Sequence, residues 1–147
     1  MKHLYLILIS FLLISCSFNQ TFSNREEDKK DAEEISQKFF WELKYGGNMD
    51  TIYNLFGDKF FEVTDKDKLL QIINTSQNDI GRVEEYNLVK WETLIVKGSN
   101  SKSEYLLVYD VKRGTTAKTE ETFSMQKDKN GDIKIVGYRV NQDLLNK

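Results

Sequence analysis

The chain contains almost none of the residues on which nucleophilic and metal-dependent chemistry relies. Its 147 residues include one cysteine, one histidine and no proline. Because the histidine is His3, near the N-terminus, the body of the chain has no imidazole for a catalytic triad or a zinc site. The glycine-rich motifs that bind phosphates do not occur either. We therefore predict no metal and no cofactor.

A strong excess of positive charge is also missing. The chain has 21 basic and 23 acidic residues, and its net charge is −2. Because nucleic-acid binding needs a concentrated basic surface, we expect no nucleic-acid partner.

The single cysteine, Cys16, follows an apolar run. Residues 1–3 form a short basic start, and Leu4–Ile14 is apolar apart from Ser10. As a helix this run would measure roughly 16 Å, about half the thickness of a bilayer core. That length suits the hydrophobic region of a secretory signal better than a permanent span. A buried core helix is the alternative interpretation.

Leu13, Ile14, Ser15 and Cys16 resemble the lipobox of bacterial lipoproteins, which has an aliphatic residue three before the cysteine and a small residue directly before it. The resemblance implies that residues 1–15 are a signal peptide and that the sulfur of Cys16 carries diacylglycerol. Several acyl chains on one residue hold a protein on a membrane. Cys16 is then a lipid attachment point rather than a redox group, a metal ligand or a nucleophile.

The remainder divides into a linker and one domain. Residues 16–30 are polar and without periodicity, and we expect a flexible tether there. From Asp31 onward, Ala32, Ile35, Phe39 and Leu43 fall at helical spacing. Residues 31–147 are expected to form a single domain.

The order of patterns in this domain predicts an α+β fold. Three helical segments come first, and after Gly81 the apolar period changes to two. Glu121, Phe123 and Met125 share one side of a strand, which we expect to face the first helix. The four expected strands, joined as an antiparallel sheet, are Val83–Val96, Glu104–Val111, Thr119–Lys127 and Ile133–Val140.

Several stretches carry a second resemblance: KFFWELKYGGNMDTIYNLF, VEEYNLVKWETLIV, SEYLLVYDVKRG, TEETFSMQKD and IKIVGYRV. In this order they resemble the nuclear transport factor two-like, or cystatin-like, superfamily over about residues 31–142. The resemblance implies a cone in which a curved four-stranded antiparallel sheet wraps a long N-terminal helix. A shared superfold does not carry an activity with it.

Two sets of residues are candidates for binding. The first set would line the cone as a ligand site, with core packing as the alternative: Trp41, Tyr86, Trp91, Tyr109 and Glu121. The second set would form an apolar patch on the outer sheet face, the face through which relatives in the superfamily dimerise: Leu106, Val108, Val136, Tyr138 and Val140.

These observations predict a membrane-anchored lipoprotein of the bacterial cell envelope that binds a small ligand or an envelope protein. The alternative is an isomerase-like or dehydratase-like enzyme that uses Asp110 or Glu121 with a tyrosine. Ser17 stands where some bacteria place an aspartate that retains lipoproteins in the inner membrane. The expected location is therefore the outer membrane, facing the periplasm, with the inner membrane and the cell surface left open.

Overall fold

The computed structural model describes residues 19–115 and 117–142, and the predicted signal peptide and Cys16 lie outside this part of the chain. Within these residues, every helix is too short or too polar to cross a bilayer. The helices Glu26–Trp41 and Lys66–Thr75 each continue into a π-helical turn, at Glu42–Gly46 and Ser76–Ile80 respectively. The elements in chain order are β1 Gln20–Ser23, α1 Glu26–Trp41, α2 Met49–Leu55, α3 Asp58–Phe61, α4 Lys66–Thr75, β2 Val83–Lys97, β3 Lys102–Arg113, β4 Ala117–Lys127 and β5 Ile133–Gln142.

The sheet is open and antiparallel, and its strands lie in chain order from β1 to β5. The predicted α+β class is confirmed, and the four predicted strands correspond to β2–β5. Strand β1 is a fifth strand. Bulges interrupt β2 before Glu85 and before Lys90, and such bulges bend a strand and increase its twist.

The two ends of the sheet are distinguished by the turns that lie there. We call the end with the β2–β3 and β4–β5 turns, residues 98–101 and 128–132, the hairpin end. The opposite end, where β3 finishes at Arg113 and Gly114 follows, is called the far end. Strand β1 begins at the hairpin end, because Gln20 pairs with Lys97, the last residue of β2.

Strand β1 lies in the segment predicted to be a flexible tether. Ser23 pairs with Leu94, and the next residue, Asn24, is bonded twice to Thr93. The Asn24 N–H donates to the Thr93 carbonyl at 3.0 Å, and the Asn24 side-chain oxygen accepts from the Thr93 N–H at 2.9 Å. Helix α1 then begins at Glu26. Residues 20–30 therefore belong to the folded domain rather than to a tether.

The core lies between α1 and the sheet. Helix α1 packs against β2, β3 and β5, and Phe39 makes edge-on contacts with Phe56, Phe123 and Tyr138. These contacts close the space between the helix and the sheet. The residues buried along α1 are Asp28, Ala32, Ser36, Phe39 and Phe40.

Candidate functional site

The sheet has one face against α1 and one open face. Successive side chains of a strand alternate between the two faces. On the central strand β3, the open face carries Glu104, Leu106, Val108, Asp110 and Lys112. The strand register places the following residues of β1, β2, β4 and β5 on the same face: Ser23, Asn87, Lys90, Glu92, Leu94, Lys118, Glu120, Thr122, Ser124, Gln126 and Arg139.

An apolar patch occupies the middle of the open face. It consists of Leu94, Leu106, Val108 and Val136, and Val108 is only 9% exposed. A groove of about 580 Å³ lies over this patch near the hairpin end, with Ser124 among the polar side chains on its rim. The open face therefore offers an apolar centre with hydrogen-bonding groups around it.

Two rows of like charge cross the open face next to this patch. Asp110 pairs directly with Glu120, and in the next row Lys112 pairs with Lys118. Like charges opposite one another on neighbouring strands are destabilising. Glu85 relieves the basic row through an ion pair with Lys112 at 3.2 Å. Among the residues that the structure describes, no ion pair relieves Asp110 or Glu120.

The structure divides the five residues predicted to form the outer apolar patch. Leu106, Val108 and Val136 lie on the open face. Tyr138 and Val140 do not, because they pair with Phe123 and Glu121, which are buried on the side of α1. The placement of Tyr138 and Val140 on the outer face is therefore wrong.

A bulge in β5 causes this difference. Ser124 pairs with Gly137, but the next residue of β4, Met125, pairs with Ile135. Val136 is therefore an extra residue, and it shifts the alternation of all later residues in β5 to the opposite face. Because β-branched residues precede and follow this point, the sequence pattern does not reveal the shift.

The residues predicted to line an internal ligand site are spread over the molecule. Trp41 is 53% exposed on α1, where its ring lies 6.1 Å from that of Tyr45. Trp91 is half-buried, with the ammonium group of Lys29 5.1 Å from its ring centre. The structure does not bring these two tryptophans together.

Tyr86 and Tyr109 are packed into the core. Phe40 stacks on Tyr86 with ring centres 4.4 Å apart and contacts Tyr109 edge-on. The hydroxyls of Tyr109 and Ser36 share a hydrogen bond of 2.7 Å. Burial raises the pKa of Tyr109 to about 12. For these two tyrosines the alternative interpretation, core packing, agrees with the structure.

Glu121, the predicted carboxylate of the ligand site, is fully buried in a polar cluster with Arg113, Thr119 and Tyr138. Two guanidinium nitrogens of Arg113 lie 2.6 and 2.7 Å from Glu121 Oε1, and Thr119 Oγ1 donates to the same oxygen at 3.0 Å. Tyr138 donates to Glu121 Oε2 at 2.5 Å. Arg113 also donates to the carbonyl of Gly81 at 3.1 Å. Glu121 is 0% exposed and Arg113 is 1% exposed, so the cluster is closed to solutes.

This cluster also holds Tyr138 in its neutral form. Burial and the neighbouring Glu121 carboxylate raise the pKa of Tyr138 well above its usual value, against the opposing effect of Arg113. A tyrosine of this kind is a hydrogen-bond donor rather than a base. The cluster therefore resembles a structural crosslink between β3, β4 and β5.

Among the residues that the structure describes, the other carboxylates form no metal-binding cluster. Asp110 is exposed on the open face, and Glu85 pairs with Lys112. Asp128 folds back on the β4–β5 turn, where one of its oxygens accepts the N–H groups of Asn130 and Asp132. No cluster of three or more potential metal ligands occurs in residues 19–115 and 117–142.

Sequence reasoning missed two features of the site. Arg113 continues the buried series Tyr105, Leu107, Tyr109 and Val111 at period two, and this spacing is a signal that a cation lies on the helix-facing side of β3. The pairing of Asp110 with Glu120 depends on the register of the β3–β4 turn, which the sequence does not specify.

A comparison with models of known protein families gives no match to this chain, and a search among curated proteins gives none either.

Proposed function

We propose that this protein is a lipoprotein of the bacterial cell envelope that is anchored through Cys16 and acts as a protein-interaction module, with the open face of the sheet as its docking surface. The anchor follows from the lipobox resemblance at residues 13–16. The proposed location is the outer membrane, on its periplasmic side. The observation that carries the docking role is the apolar patch bordered by the acidic row Asp110 and Glu120, which no ion pair relieves in the described part of the chain.

The composition of the open face suits a protein partner. Interfaces combine an apolar centre with a polar rim, and the patch around Leu106 and Val108 has this arrangement. The carboxylates of Asp110 and Glu120 lie on neighbouring strands without a cation to pair with in the described part of the chain. A partner that brings cations to this row would remove the repulsion between them.

A second copy of the chain fits this requirement. A two-fold axis that lies in the interface, parallel to the charged rows and midway between them, exchanges the two rows. It places Lys112 of one copy opposite Asp110 of the other, and Lys118 opposite Glu120. The two charged rows are therefore electrostatically complementary to themselves, and we propose a homodimer that overlaps at the far end of the open face as the first complex to test. The apolar patch lies outside this overlap and remains available to another protein partner.

The small-ligand and enzyme alternatives have less support. The space between α1 and the sheet is filled by the rings of Phe39, Phe40 and Phe123. Glu121 has a tyrosine beside it, as the enzyme hypothesis requires, but its carboxylate is fully buried and bonded to Arg113. A general acid or base must lie within hydrogen-bond reach of its substrate.

We also propose that the domain is a variant of the nuclear transport factor two-like cone. A long helix that contacts β2, β3 and β5 of a bent antiparallel sheet supports this assignment. Strand β1, which precedes the helix and extends the sheet at the β2 edge, is the feature that distinguishes the variant from the four-stranded expectation.

A charge-reversal experiment tests the docking surface. The acidic row is reversed in Asp110→Lys/Glu120→Lys and the basic row in Lys112→Glu/Lys118→Glu, and the oligomeric state of the detergent-solubilised lipoprotein is measured by light scattering. Each variant alone is expected to be monomeric, because both rows then carry the same sign. An equimolar mixture is expected to form heterodimers.

The control is Lys30→Glu/Glu34→Lys, which exchanges two exposed charges on α1. This variant is expected to dimerise like the parent protein. A parent protein that stays monomeric, or a mixture of the two row variants that does not associate, would contradict the proposed homodimer.

A further inference from the structure

The chain enters the folded domain at a defined corner. Gln20, the first residue of β1, pairs with Lys97 at the hairpin end. The strand is held there by the bonds between Asn24 and Thr93 and by Phe22, which packs on the core. The guanidinium carbon of Arg25 lies 4.5 Å from the centre of the Phe22 ring, and Lys97 Nζ lies 5.4 Å from it. The entry point is therefore fixed relative to the sheet.

The distance from this corner to the lipid is short. Cys16 stands four residues before Gln20 in the sequence. An extended chain covers at most about 3.6 Å per residue, so these residues reach no further than roughly 14 Å. The far end is much more distant, because the 12 residues of β3 span roughly 40 Å. An acylated Cys16 thus brings the hairpin end, and not the far end, to the membrane.

The hairpin end carries positive charge, which suits a position next to anionic lipid headgroups. Four exposed lysines flank or occupy its two turns, Lys97 and Lys102 in one hairpin and Lys127 and Lys129 in the other. Two acidic residues, Asp128 and Asp132, lie in the same two turns, and Lys102 also forms an ion pair with Glu104 at 3.3 Å. The whole chain has a net charge of −2, so this local excess of positive charge runs against the overall balance. Attraction to charged lipids acts over about a Debye length, roughly 8 Å at physiological salt.

We infer that the hairpin end is a membrane-docking surface whose lysines contact anionic lipid headgroups, so that the protein stands upright with its strands steeply inclined to the bilayer. This inference rests on the proposed acylation of Cys16. It leaves the open face directed along the membrane surface, toward neighbouring molecules held on the same membrane. On one membrane the apolar patch is presented to a neighbouring envelope protein, because the two-fold axis of the proposed homodimer lies across the strands and would point the second copy's hairpin end away from the lipid.

Single labels on the acylated protein test this orientation. The native sulfur is a thioether after acylation, so Ser99→Cys and Asn130→Cys each supply the one free thiol at the hairpin end, and Thr115→Cys supplies it at the far end. Each protein is labelled with a fluorophore and reconstituted into phosphatidylcholine vesicles that contain phosphatidylglycerol and a lipid with a nitroxide in its headgroup. Strong quenching is expected at positions 99 and 130 and only background quenching at 115. Equal quenching at the three positions, or strongest quenching at 115, would overturn the inference.

A second pair of variants separates the tether from the lysines. A long glycine-serine linker inserted between Asn19 and Gln20 removes the limit on reach. With this linker, quenching at position 99 is expected to persist in vesicles with phosphatidylglycerol and to be lost in pure phosphatidylcholine. Adding Lys97→Gln, Lys102→Gln, Lys127→Gln and Lys129→Gln is expected to abolish the quenching in vesicles with phosphatidylglycerol as well. Quenching that depends neither on the charge of the lipid nor on the four lysines would refute the proposed headgroup contact.

Mass spectrometry of each sample distinguishes the two proposals. An unmodified Cys16 would overturn the proposed anchor, and this inference with it. An acylated Cys16 with unquenched labels at positions 99 and 130 would overturn the orientation alone.

Discussion

At the scale of single residues, the most important contact is the ion pair between Arg113 and Glu121, because each buried charge needs the other to neutralise it. Both are essentially unexposed, and they meet at 2.6 Å. Burying a charge is costly unless it is paired and hydrogen-bonded. In this cluster Thr119 and Tyr138 also donate hydrogen bonds to the carboxylate. The site that looked like a ligand carboxylate in the sequence is therefore best understood as part of the scaffold.

Glu121→Gln is expected to destabilise the protein strongly, because it leaves the Arg113 cation buried without an anion. Breaking a buried ion pair costs about 3–5 kcal/mol, and urea denaturation measures the loss. Glu120→Gln is the matched control on the open face, where we expect a change within about 0.5 kcal/mol. Equal stability of the two variants would show that the buried cluster is not a structural crosslink.

Because of Tyr109, we expect the free energy of unfolding to change with pH in the alkaline range. Its pKa is raised from 10.0 to about 12 by burial. Between these values the unfolded chain loses the phenol proton while the folded protein retains it, so stability is full below pH 10 and falls as pH rises toward 12. The slope for one such group is at most about 1.4 kcal/mol per pH unit. Tyr109→Phe is expected to make the fall measurably shallower in urea denaturation between pH 10 and 12.

The control for this measurement is Tyr45→Phe, because Tyr45 is 69% exposed. We expect it to retain the pH dependence of the parent protein. A Tyr109→Phe variant with the slope of the parent would contradict the role assigned to burial.

At the scale of elements, the contact between Gly81 and Gly114 joins the start of β2 to the turn after β3. A Cβ at position 81 would lie 2.9 Å from the backbone nitrogen of Gly114, and φ at Gly81 is +123°. Gly81→Ala therefore combines a backbone clash with a strained conformation, and we expect a loss of about 2 kcal/mol or more. The measurement is the midpoint of urea unfolding.

Gly131→Ala is the matched control for this prediction. Its φ is +89°, but no atom lies within 4 Å of the added Cβ. The cost is then conformational only, about 1 kcal/mol. If Gly81→Ala lowered the stability no more than Gly131→Ala, the close approach of Gly81 to Gly114 would not contribute to stability.

The proposed orientation of the protein on the membrane depends on strand β1, because β1 fixes where the chain enters the sheet. Asn24→Ala removes the acceptor of the Thr93 N–H and disfavours the positive φ of 52° at this residue. Amide exchange at Thr93 is expected to accelerate about tenfold, while exchange at Leu107 in the centre of the sheet stays unchanged. Asn87→Ala, an exposed asparagine on β2, is the control. Unaltered exchange at Thr93 would mean that Asn24 does not hold β1 in place.

The elements also show what sequence patterns reveal and what they miss. Strands β2–β5 are long and repeat at period two, so their existence and the helix-facing side of Glu121, Phe123 and Met125 are predicted correctly. Strand β1 has four mostly polar residues, and its backbone bonds to β2 leave no periodic signal. The outer placement of Tyr138 and Val140 fails because the bulge at Val136 is a property of strand pairing.

At the scale of the whole molecule, the anchor connects the other proposals. The proposed acylation of Cys16 would confine the protein to a membrane surface, and such confinement raises the effective concentration of a weak partner on that surface. With that anchor, the short spacing between Cys16 and β1 would set which end of the sheet meets the lipid. The docking face, with Asp110 beside Lys112 in adjacent rows, is left free for a neighbour.

The intact mass of the protein purified from the native cell envelope tests this account most directly. The account predicts a chain that has lost residues 1–15 and begins at a Cys16 carrying diacylglycerol, with no free thiol. A chain that retains Met1 and a bare Cys16 sulfur would contradict it.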